Sequence, residues 1–446
     1  MAKKMPVALT KREVLVRVYI TEIKPSQSER GFVEKKESWF SWARMKKTDP
    51  ALLAVSLGHA ITHWYPGTLF MVLPYLAKDL GLSYSQVGLL MGWNSFMSFF
   101  VNLPGGVIVD MVGKTGFILG LSLALTGLPH FALGFSASYV TAMIVVTFLG
   151  IGATLWHPAA LSFIAKRYPE GRGFAIAVHS MGANLGDTLA PMAIGLTLTF
   201  LVWRQVLILN VLPGIFMGLI LWRLLIKAEN VRTEVKGKGL SLKEYGAAVK
   251  TMAQNKGILL LCALSGFRTM TQMGLFTFLP IYLANELHYS PALVGIYLTV
   301  VQAAGILSSP LSGAISDKKG RRPVLTTGLL GTSALLVTLV VLKLQFLFIA
   351  VLAFLGFFLF SLRPVIFAWT MDLAPKNVSG TTVSALFGIQ SLFSSIAPAA
   401  CGFIADRFGI LYSFYFLAST VFAANFLVYL IPEKPLKEEA AIAPQT

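Results

Sequence analysis

The amino-acid sequence predicts an all-α membrane protein in which twelve transmembrane helices form two pseudo-symmetric six-helix bundles. Two features of the composition support this fold class: 55% of the 446 residues are hydrophobic and only 13% are charged, whereas soluble domains usually carry about 25% charged residues. The third feature is a series of hydrophobic runs of about 20 residues, the length that a helix needs to cross the hydrocarbon core.

Each hydrophobic run predicts one helix, and a polar linker separates two sets of six. The first set is predicted at about 51–78, 85–111, 115–134, 138–161, 171–199 and 202–227. The second set is predicted at about 257–286, 291–316, 322–343, 345–374, 379–406 and 410–431. The predicted domains are a basic N-terminal tail (1–47), a first bundle (48–227), a linker (228–256), a second bundle (257–432) and a C-terminal tail (433–446).

An internal repeat relates the two sets of helices. His157-Pro158 in the fourth predicted helix aligns with Arg363-Pro364 in the tenth, within a longer matching segment. Two parallel six-helix repeats are a recurring plan of secondary transporters, in which the binding site lies near the midplane between the halves. A membrane enzyme has no need of such a duplication.

Positive charge is concentrated in the tails and in alternate loops. Twelve Lys or Arg residues lie in the first 47 residues, and a further cluster lies between Lys227 and Lys256, so the net charge of +17 does not indicate nucleic-acid binding. Basic loops mark the cytoplasmic side of a membrane protein. The pattern predicts a multi-pass protein of the bacterial inner membrane, surrounded by lipid, with both termini in the cytoplasm and no nucleic-acid partner.

The sequence contains no motif of an enzyme or a cofactor site. The two cysteines, Cys262 and Cys401, fall inside predicted helices and have neither disulfide nor metal-ligand spacing. A phosphate-binding loop and a nucleophile elbow are both absent from the sequence. The prediction is therefore a protein that is not an enzyme, with no cofactor and no metal site.

A charged loop motif recurs at equivalent places in both halves. The second half reads Gly-Ala-Ile-Ser-Asp-Lys-Lys-Gly-Arg-Arg over 313–322, and the first half keeps the glycines and the aspartate but has Met111 and Thr115 in place of basic residues. This pattern resembles the loop motif of the major facilitator superfamily. The alternative is that the basic residues only set the topology. The resemblance implies a cytoplasmic gate formed by Gly106, Asp110, Gly113, Gly313, Asp317, Gly320, Arg321 and Arg322.

A second set of residues resembles the fosmidomycin-resistance-type exporters of that superfamily. His59 in the first helix, Trp156 and His157 in the fourth, and Gly-Ala-Asn-Leu-Gly over 182–186 carry this resemblance. Such relatives commonly have an acidic residue four positions after the first-helix histidine, where this chain has His63. The resemblance implies export of a drug or metabolite by a monomeric carrier.

Several polar side chains fall inside the predicted helices on coherent faces. His59 and His63 on the first helix, like Arg268 and Gln272 on the seventh, are four residues apart, which places each pair on one side of its helix. Arg268 lies roughly 16 Å deep at 1.5 Å per residue, and Arg363 is also expected to be buried. The predicted substrate-binding residues are Arg268, His59, His63, Gln272, Arg363, Asn94, Gln302 and Gln390.

The predicted substrate is a small organic anion or zwitterion, because a guanidinium fork suits carboxylate and phosphate groups. A charge at the centre of a membrane helix costs roughly 2.5–3.5 kcal/mol, which favours a functional role for these arginines. The alternatives are that each arginine pairs with a carboxylate or a helix end, or that Arg363 extends to the cytoplasmic surface.

Asp187, His59 and His157 are the predicted proton-coupling residues. A desolvated carboxylate or a histidine can exchange a proton near neutral pH. The alternative for Asp187 is a structural pair between helices, and His130 and His179 are expected to be structural. Together these features predict an alternating-access carrier that exports its solute in exchange for protons. Uptake of an organic anion by proton symport is one alternative, and a membrane receptor with a partner-binding tail is another.

Overall fold

The computed structural model describes residues 49–102, 104–112, 114–169, 171–229, 254–342, 345–374 and 379–432. Within these ranges the chain forms twelve helices and no β-strand, which confirms the predicted fold class. The predicted tails, and most of the predicted linker, lie outside them. The helices of the first half are α1 (Pro50–Asp79), α2 (Tyr84–Asn102, continued by Gly105–Val112), α3 (Thr115–Leu133), α4 (Tyr139–Arg167), α5 (Arg172–Thr197) and α6 (Trp203–Leu209, continued by Val211–Glu229). Those of the second half are α7 (Lys256–Ile281, extended by a π-turn, Tyr282–Glu286), α8 (Pro291–Lys319), α9 (Arg321–Val341), α10 (Gln345–Leu373), α11 (Ser379–Phe408) and α12 (Ile410–Leu430).

Two helices differ most clearly from the predictions. α2 is interrupted before Gly105, next to Pro104, because proline has no N–H to donate to the helix. α4 continues to Arg167, six residues beyond the predicted end. Its last turn is basic rather than apolar, so hydropathy underestimates its length, and the helix ends before Pro169, which disfavours helical geometry at the preceding residue.

Hydropathy separates the helices into two groups. Among the described helices, nine have the length and composition of a membrane span, judged by those two properties alone. α1, α2 and α5 do not reach that hydropathy. These three helices carry polar side chains such as His59, Asn94 and Asp187, which lower their hydropathy.

The hydrophobic core distinguishes the two ends of the bundle. We call the end where α1 begins and α12 ends the tail face, and the opposite end the far face. At the far face, buried side chains from both halves form one continuous cluster, in which the rings of Phe70 and Phe276 lie 5.6 Å apart. Toward the tail face, each half has its own separate cluster. The halves are thus packed together at the far face and apart at the tail face.

Close helix contacts hold the halves together at the far face. There α2 packs on α11, and a methyl group at Gly88 would overlap the carbonyl oxygen of Pro398. The carboxylate of Asp406 on α11 accepts hydrogen bonds from the backbone N–H groups of Tyr84 (2.9 Å) and Ser85 (2.8 Å). The second half therefore caps the first turn of a helix of the first half.

Candidate functional site

The close packing of α1 and α5 creates the polar interior of the first half. A methyl group at Gly182 would overlap the carbonyl oxygen of Ser56, and one at Gly186 would overlap that of Ala60. Small residues at such positions allow membrane helices to approach at backbone distance. The short separation brings polar side chains of α5 directly against those of α1.

Four of the chain's six histidines gather where α1, α4 and α5 meet. The ring of His59 stacks on that of His179, with centroids 3.9 Å apart, and contacts the rings of His63 at 4.7 Å and His157 at 5.2 Å. His59 is buried, while His63 and His157 are half-buried. The structure thus brings together all three histidines that the sequence analysis selected.

Each of two histidines in this cluster uses one ring nitrogen to bond a neighbouring helix. The Nδ1 N–H of His59 donates to the backbone carbonyl of His179 at 2.8 Å. The Nδ1 N–H of His63 donates to the carboxylate of Asp187 at 3.0 Å, and this pair is only about one-quarter exposed. Asp187 therefore lies in a hydrogen-bonded pair between α1 and α5, the arrangement that the structural alternative for this residue required.

His179 is a residue that the sequence analysis assigned to a structural role. It belongs to the cluster because α5 lies against α1 at this height, and no motif in the sequence marks that contact. His130, by contrast, is buried with its ring nitrogens 2.8 Å from the carbonyl of Thr126 and 3.0 Å from that of Tyr65.

The second half contributes a buried arginine. The side chain of Arg268 on α7 is 3% exposed and donates to Gln272 on the next turn. Its Nε has no hydrogen-bond partner in the described part of the chain. No described carboxylate forms an ion pair with it, so carboxylate pairing does not account for this charge within the described residues.

Arg363 on α10 differs from the expectation, because its side chain is exposed rather than buried. Its charge nevertheless interacts with His157 of the other half and with Arg268. It therefore faces the space between the halves. Exposure follows from the separation of the halves toward the tail face, which a linear sequence does not reveal.

A cavity of about 260 Å³ lies between the halves, and α7, the helix that carries Arg268, contributes to its wall. Thr269 and Met273, which flank Arg268 and Gln272 on α7, line its wall. Of the predicted substrate-binding residues, Asn94 and Gln390 line this cavity. Gln302 is buried in α8 and is not part of its wall. The remaining polar groups of the wall are mostly hydroxyls: Ser95, Ser98, Thr126, Ser391 and Ser394.

The loop motif of the second half forms a network at the tail face. Gly320 has a φ of 92°, a left-handed conformation that favours glycine, and ends α8. Arg321 then reaches back to Asp317 (2.5 Å) and across to Asp372 at the end of α10 (3.2 Å). Arg322 donates to the carbonyl of Ile431 (2.9 Å).

The described contacts of this motif lie within the second half. Nothing lies within 4 Å of the position that a Cβ would take at Gly313, so this glycine makes no close helix contact there in this conformation. In the first half, the side chain of Asp110 and the whole of Gly113 lie outside the described residues, while the backbone of Gly106 is helical. The role of these residues as a gate stays a prediction.

Two six-helix halves with a polar interior between them are a recurring plan of membrane transporters. The chain matches the sequence profile of the Major Facilitator Superfamily over residues 55–398 and 261–445. The protein belongs to this superfamily, as its loop motif indicated, and is a multi-pass integral membrane protein.

Relatives of known sequence agree with this assignment. The chain is 22% identical over 370 residues to the uncharacterized MFS-type transporter YfnC of Bacillus subtilis, covering 81% of this chain and 88% of the relative. It is 24% identical over 405 residues to the hexuronate transporter of the same species (84% and 92% covered). It is 22% identical over 367 residues to the fosmidomycin resistance protein of Escherichia coli (80% and 86% covered).

A solved structure shows the same fold. The bacterial homologue of the human lysosomal transporter Spinster, in an inward-facing and unoccupied conformation, superposes with a TM-score of 0.75 at 19% identity. The match covers 86% of this chain and 98% of that one.

Proposed function

We propose that the protein is a secondary active transporter that exports a small organic anion in exchange for protons. Arg268 carries this proposal. A buried charge normally has a partner, because desolvation costs several kcal/mol, yet the described part of the chain offers this guanidinium only Gln272. An anionic group of the solute, carboxylate or phosphate, is the missing partner.

The cavity between the halves supports a small solute with hydroxyl groups; Thr269 and Met273, the chain neighbours of Arg268 and Gln272, line it, whereas Arg268 itself is not part of its wall. Its volume of about 260 Å³ suits a metabolite smaller than the usual drug-sized ligand. Its hydroxyl and amide side chains can hydrogen-bond a polar, uncharged portion of that solute. The hexuronate transporter, a relative over most of the chain, is named for a sugar acid of this kind.

The coupling part of the proposal rests on the hydrogen-bonded pair of His63 and Asp187. This pair joins α1 to α5 inside the first half, and the ring of His63 lies 6.0 Å from that of His157 on α4. Protonation of Asp187 would break the pair and change the contact between the helices. A carrier can use such a change to favour one conformation over the other.

The anion assignment is tested by measuring uptake of labelled organic acids into proteoliposomes containing the purified protein. Arg268→Gln should lower solute affinity about tenfold to hundredfold, because a hydrogen bond to a charged group contributes about 1.5–3 kcal/mol. Arg268→Lys, which keeps the charge, should retain part of the affinity. Arg407→Gln, an equal charge change at the exposed far-face end of α11, serves as control. Equal affinities in Arg268→Gln and Arg407→Gln would refute the assignment.

Uptake by proton symport is the second candidate function, and the direction of coupling separates the two. Proteoliposomes loaded with solute are given an acidic or an alkaline exterior. Antiport predicts faster solute efflux with the acidic exterior, since protons then enter down their gradient as the solute leaves. Symport predicts faster efflux with the alkaline exterior. No dependence on the pH gradient would exclude both forms of proton coupling.

A further inference from the structure

The histidine cluster has a second property, the close approach of three ring nitrogens. One nitrogen each from His59, His63 and His157 lies within 4.8 Å of the other two. His59 and His63 are four residues apart on α1, the spacing at which two helical histidines can bind one zinc ion. His157 approaches from α4, so the three rings converge from two helices.

Hydrogen bonds already orient two of these rings in the way that metal ligands need. The Nδ1 atoms of His59 and His63 donate to the carbonyl of His179 and the carboxylate of Asp187. A donor at Nδ1 leaves the Nε2 lone pair of the neutral ring available. Metal-binding histidines almost always use their second nitrogen in this way, and carboxylate and carbonyl acceptors are the usual partners.

The Nε2 of His59 is the most informative atom of the cluster. It is buried, and it has no hydrogen-bond partner in the described ranges of the chain. A buried polar atom without a partner is costly, and each such atom in a native structure requires an explanation. A metal ion between the three rings would satisfy this nitrogen together with those of His63 and His157.

We propose that His59, His63 and His157 bind a first-row transition-metal ion, with zinc as the ion to test. Neutral imidazoles suit Zn²⁺, Cu²⁺ and Ni²⁺, whereas Mg²⁺ and Ca²⁺ prefer oxygen ligands. Nitrogens around a tetrahedral zinc lie about 3.4 Å apart, given Zn–N distances of about 2.0–2.1 Å. Small adjustments of the three rings would bring their nitrogens, now within 4.8 Å of one another, to this separation.

The charges around the cluster favour an anion as the fourth ligand of the metal. Asp187 offsets part of the metal charge from behind His63, while Arg363 adds positive charge near His157. Three histidines leave one position of a tetrahedral ion free for water or an anion. An anionic ligand at that position would balance the charge of the site. This site does not depend on the proposed function, because it requires neither Arg268 nor proton coupling.

The test is isothermal titration of the purified full-length protein, without a polyhistidine tag, with ZnCl₂ and with MgCl₂. The wild type should bind one zinc ion and show no comparable heat with magnesium. His63→Asn and His157→Asn should each weaken zinc binding by at least about tenfold. His288→Asn is the matched control, because His288 lies outside the cluster in the turn before α8, and asparagine tolerates its positive φ of 53°. Zinc binding should be unchanged in this variant.

X-ray absorption at the zinc edge of the loaded wild type gives a second result that does not depend on how the variants fold. Three nitrogen neighbours at about 2.0 Å support the site. Absence of one-to-one binding in the wild type, or equal binding by the cluster variants and His288→Asn, overturns the proposal. A shell of oxygen neighbours would likewise overturn it, since it would indicate an adventitious ion on surface groups.

Discussion

The two halves of this transporter share a fold but treat buried charge in opposite ways. In the first half, polar groups bond between helices: His59 bonds to the carbonyl of His179, and His63 to Asp187, although the Nε2 of His59 has no partner among the described residues. In the second half, Arg268 bonds only to Gln272 on its own helix within the described chain. A duplicated bundle thus allows one half to bond polar groups between its helices while the other buries a cation that no described carboxylate pairs.

The comparison is most direct at one pair of repeated positions. His157 in α4 aligns with Arg363 in α10, and both precede a proline. In the structure Arg363 lies close enough to His157 to affect it electrostatically. One repeat position therefore holds a histidine and the other a permanent cation, so the two halves place different side chains at equivalent positions.

The largest expected effect breaks the close packing of α1 and α5 in the first half. Gly182→Ala would force a methyl group into the carbonyl of Ser56 and separate α5 from α1. Overpacking of this kind costs about 1–3 kcal/mol, and loss of the His63–Asp187 pair should add to it. Gly218→Ala is the matched control, because nothing lies within 4 Å of the added methyl. Thermal unfolding in detergent should show a clearly lower midpoint for Gly182→Ala, and equal midpoints would show that the helices do not depend on this contact.

The second expected effect is an increase in stability, caused by replacing the buried Arg268. Arg268→Met should weaken solute binding at least as much as Arg268→Gln yet raise the free energy of unfolding by about 2.5–3.5 kcal/mol, the insertion cost of a charge at a helix centre. Arg204 is a contrasting arginine, because it donates to Asp79 (2.8 Å) and to the carbonyls of Gly134 and Ser136. Arg204→Met should therefore destabilise the protein. A lower unfolding midpoint for Arg268→Met would mean that Arg268 is paired after all.

The sequence alone predicts the faces of the helices but not the contacts between them. Helix number, and the faces shared by His59 with His63 and by Arg268 with Gln272, follow from hydropathy and from the helical period. Contacts between helices do not follow, because a periodic pattern gives the face of a helix but not its neighbour or the height at which they meet. The pairing of His63 with Asp187 depends on glycines that set the distance between two helices.

The same limit explains the two errors on Arg363 and α4. Burial of Arg363 depends on whether the halves are together or apart, which is a property of one conformation rather than of the chain. The end of α4 depends on a polar last turn before Pro169, where helical geometry outweighs hydropathy. Local patterns predict local structure, and the site is assembled from distant segments.

A smaller effect is expected at the far face, where Asp406 caps the first turn of α2. Asp406→Asn keeps one acceptor for the N–H groups of Tyr84 and Ser85 but loses the charge. A helix cap contributes about 1 kcal/mol, which corresponds to about a fivefold shift toward a conformation that is open at the far face.

The measurement for Asp406 is the labelling rate of a cysteine at Ser394, a cavity-lining position, by a membrane-impermeant reagent added at the far face. Cys262 and Cys401 are buried and should give little background. Asp79→Asn is the control, because Asp79 pairs with Arg204 inside the first half. Labelling should accelerate in Asp406→Asn only, and equal rates in both variants would show that the cap does not hold the far face closed.

The smallest expected effect is at the loop motif of the tail face. Asp317 is 66% exposed in its pair with Arg321, and exposed ion pairs contribute about 0.2–1 kcal/mol. Asp317→Asn should therefore lower the unfolding midpoint only slightly, and added salt should reduce the difference from wild type because it screens exposed charges. The difference caused by Gly182→Ala should persist in salt, since it arises from steric overlap. A large, salt-resistant effect of Asp317→Asn would instead place this carboxylate in a buried contact, as a gate between the halves would require.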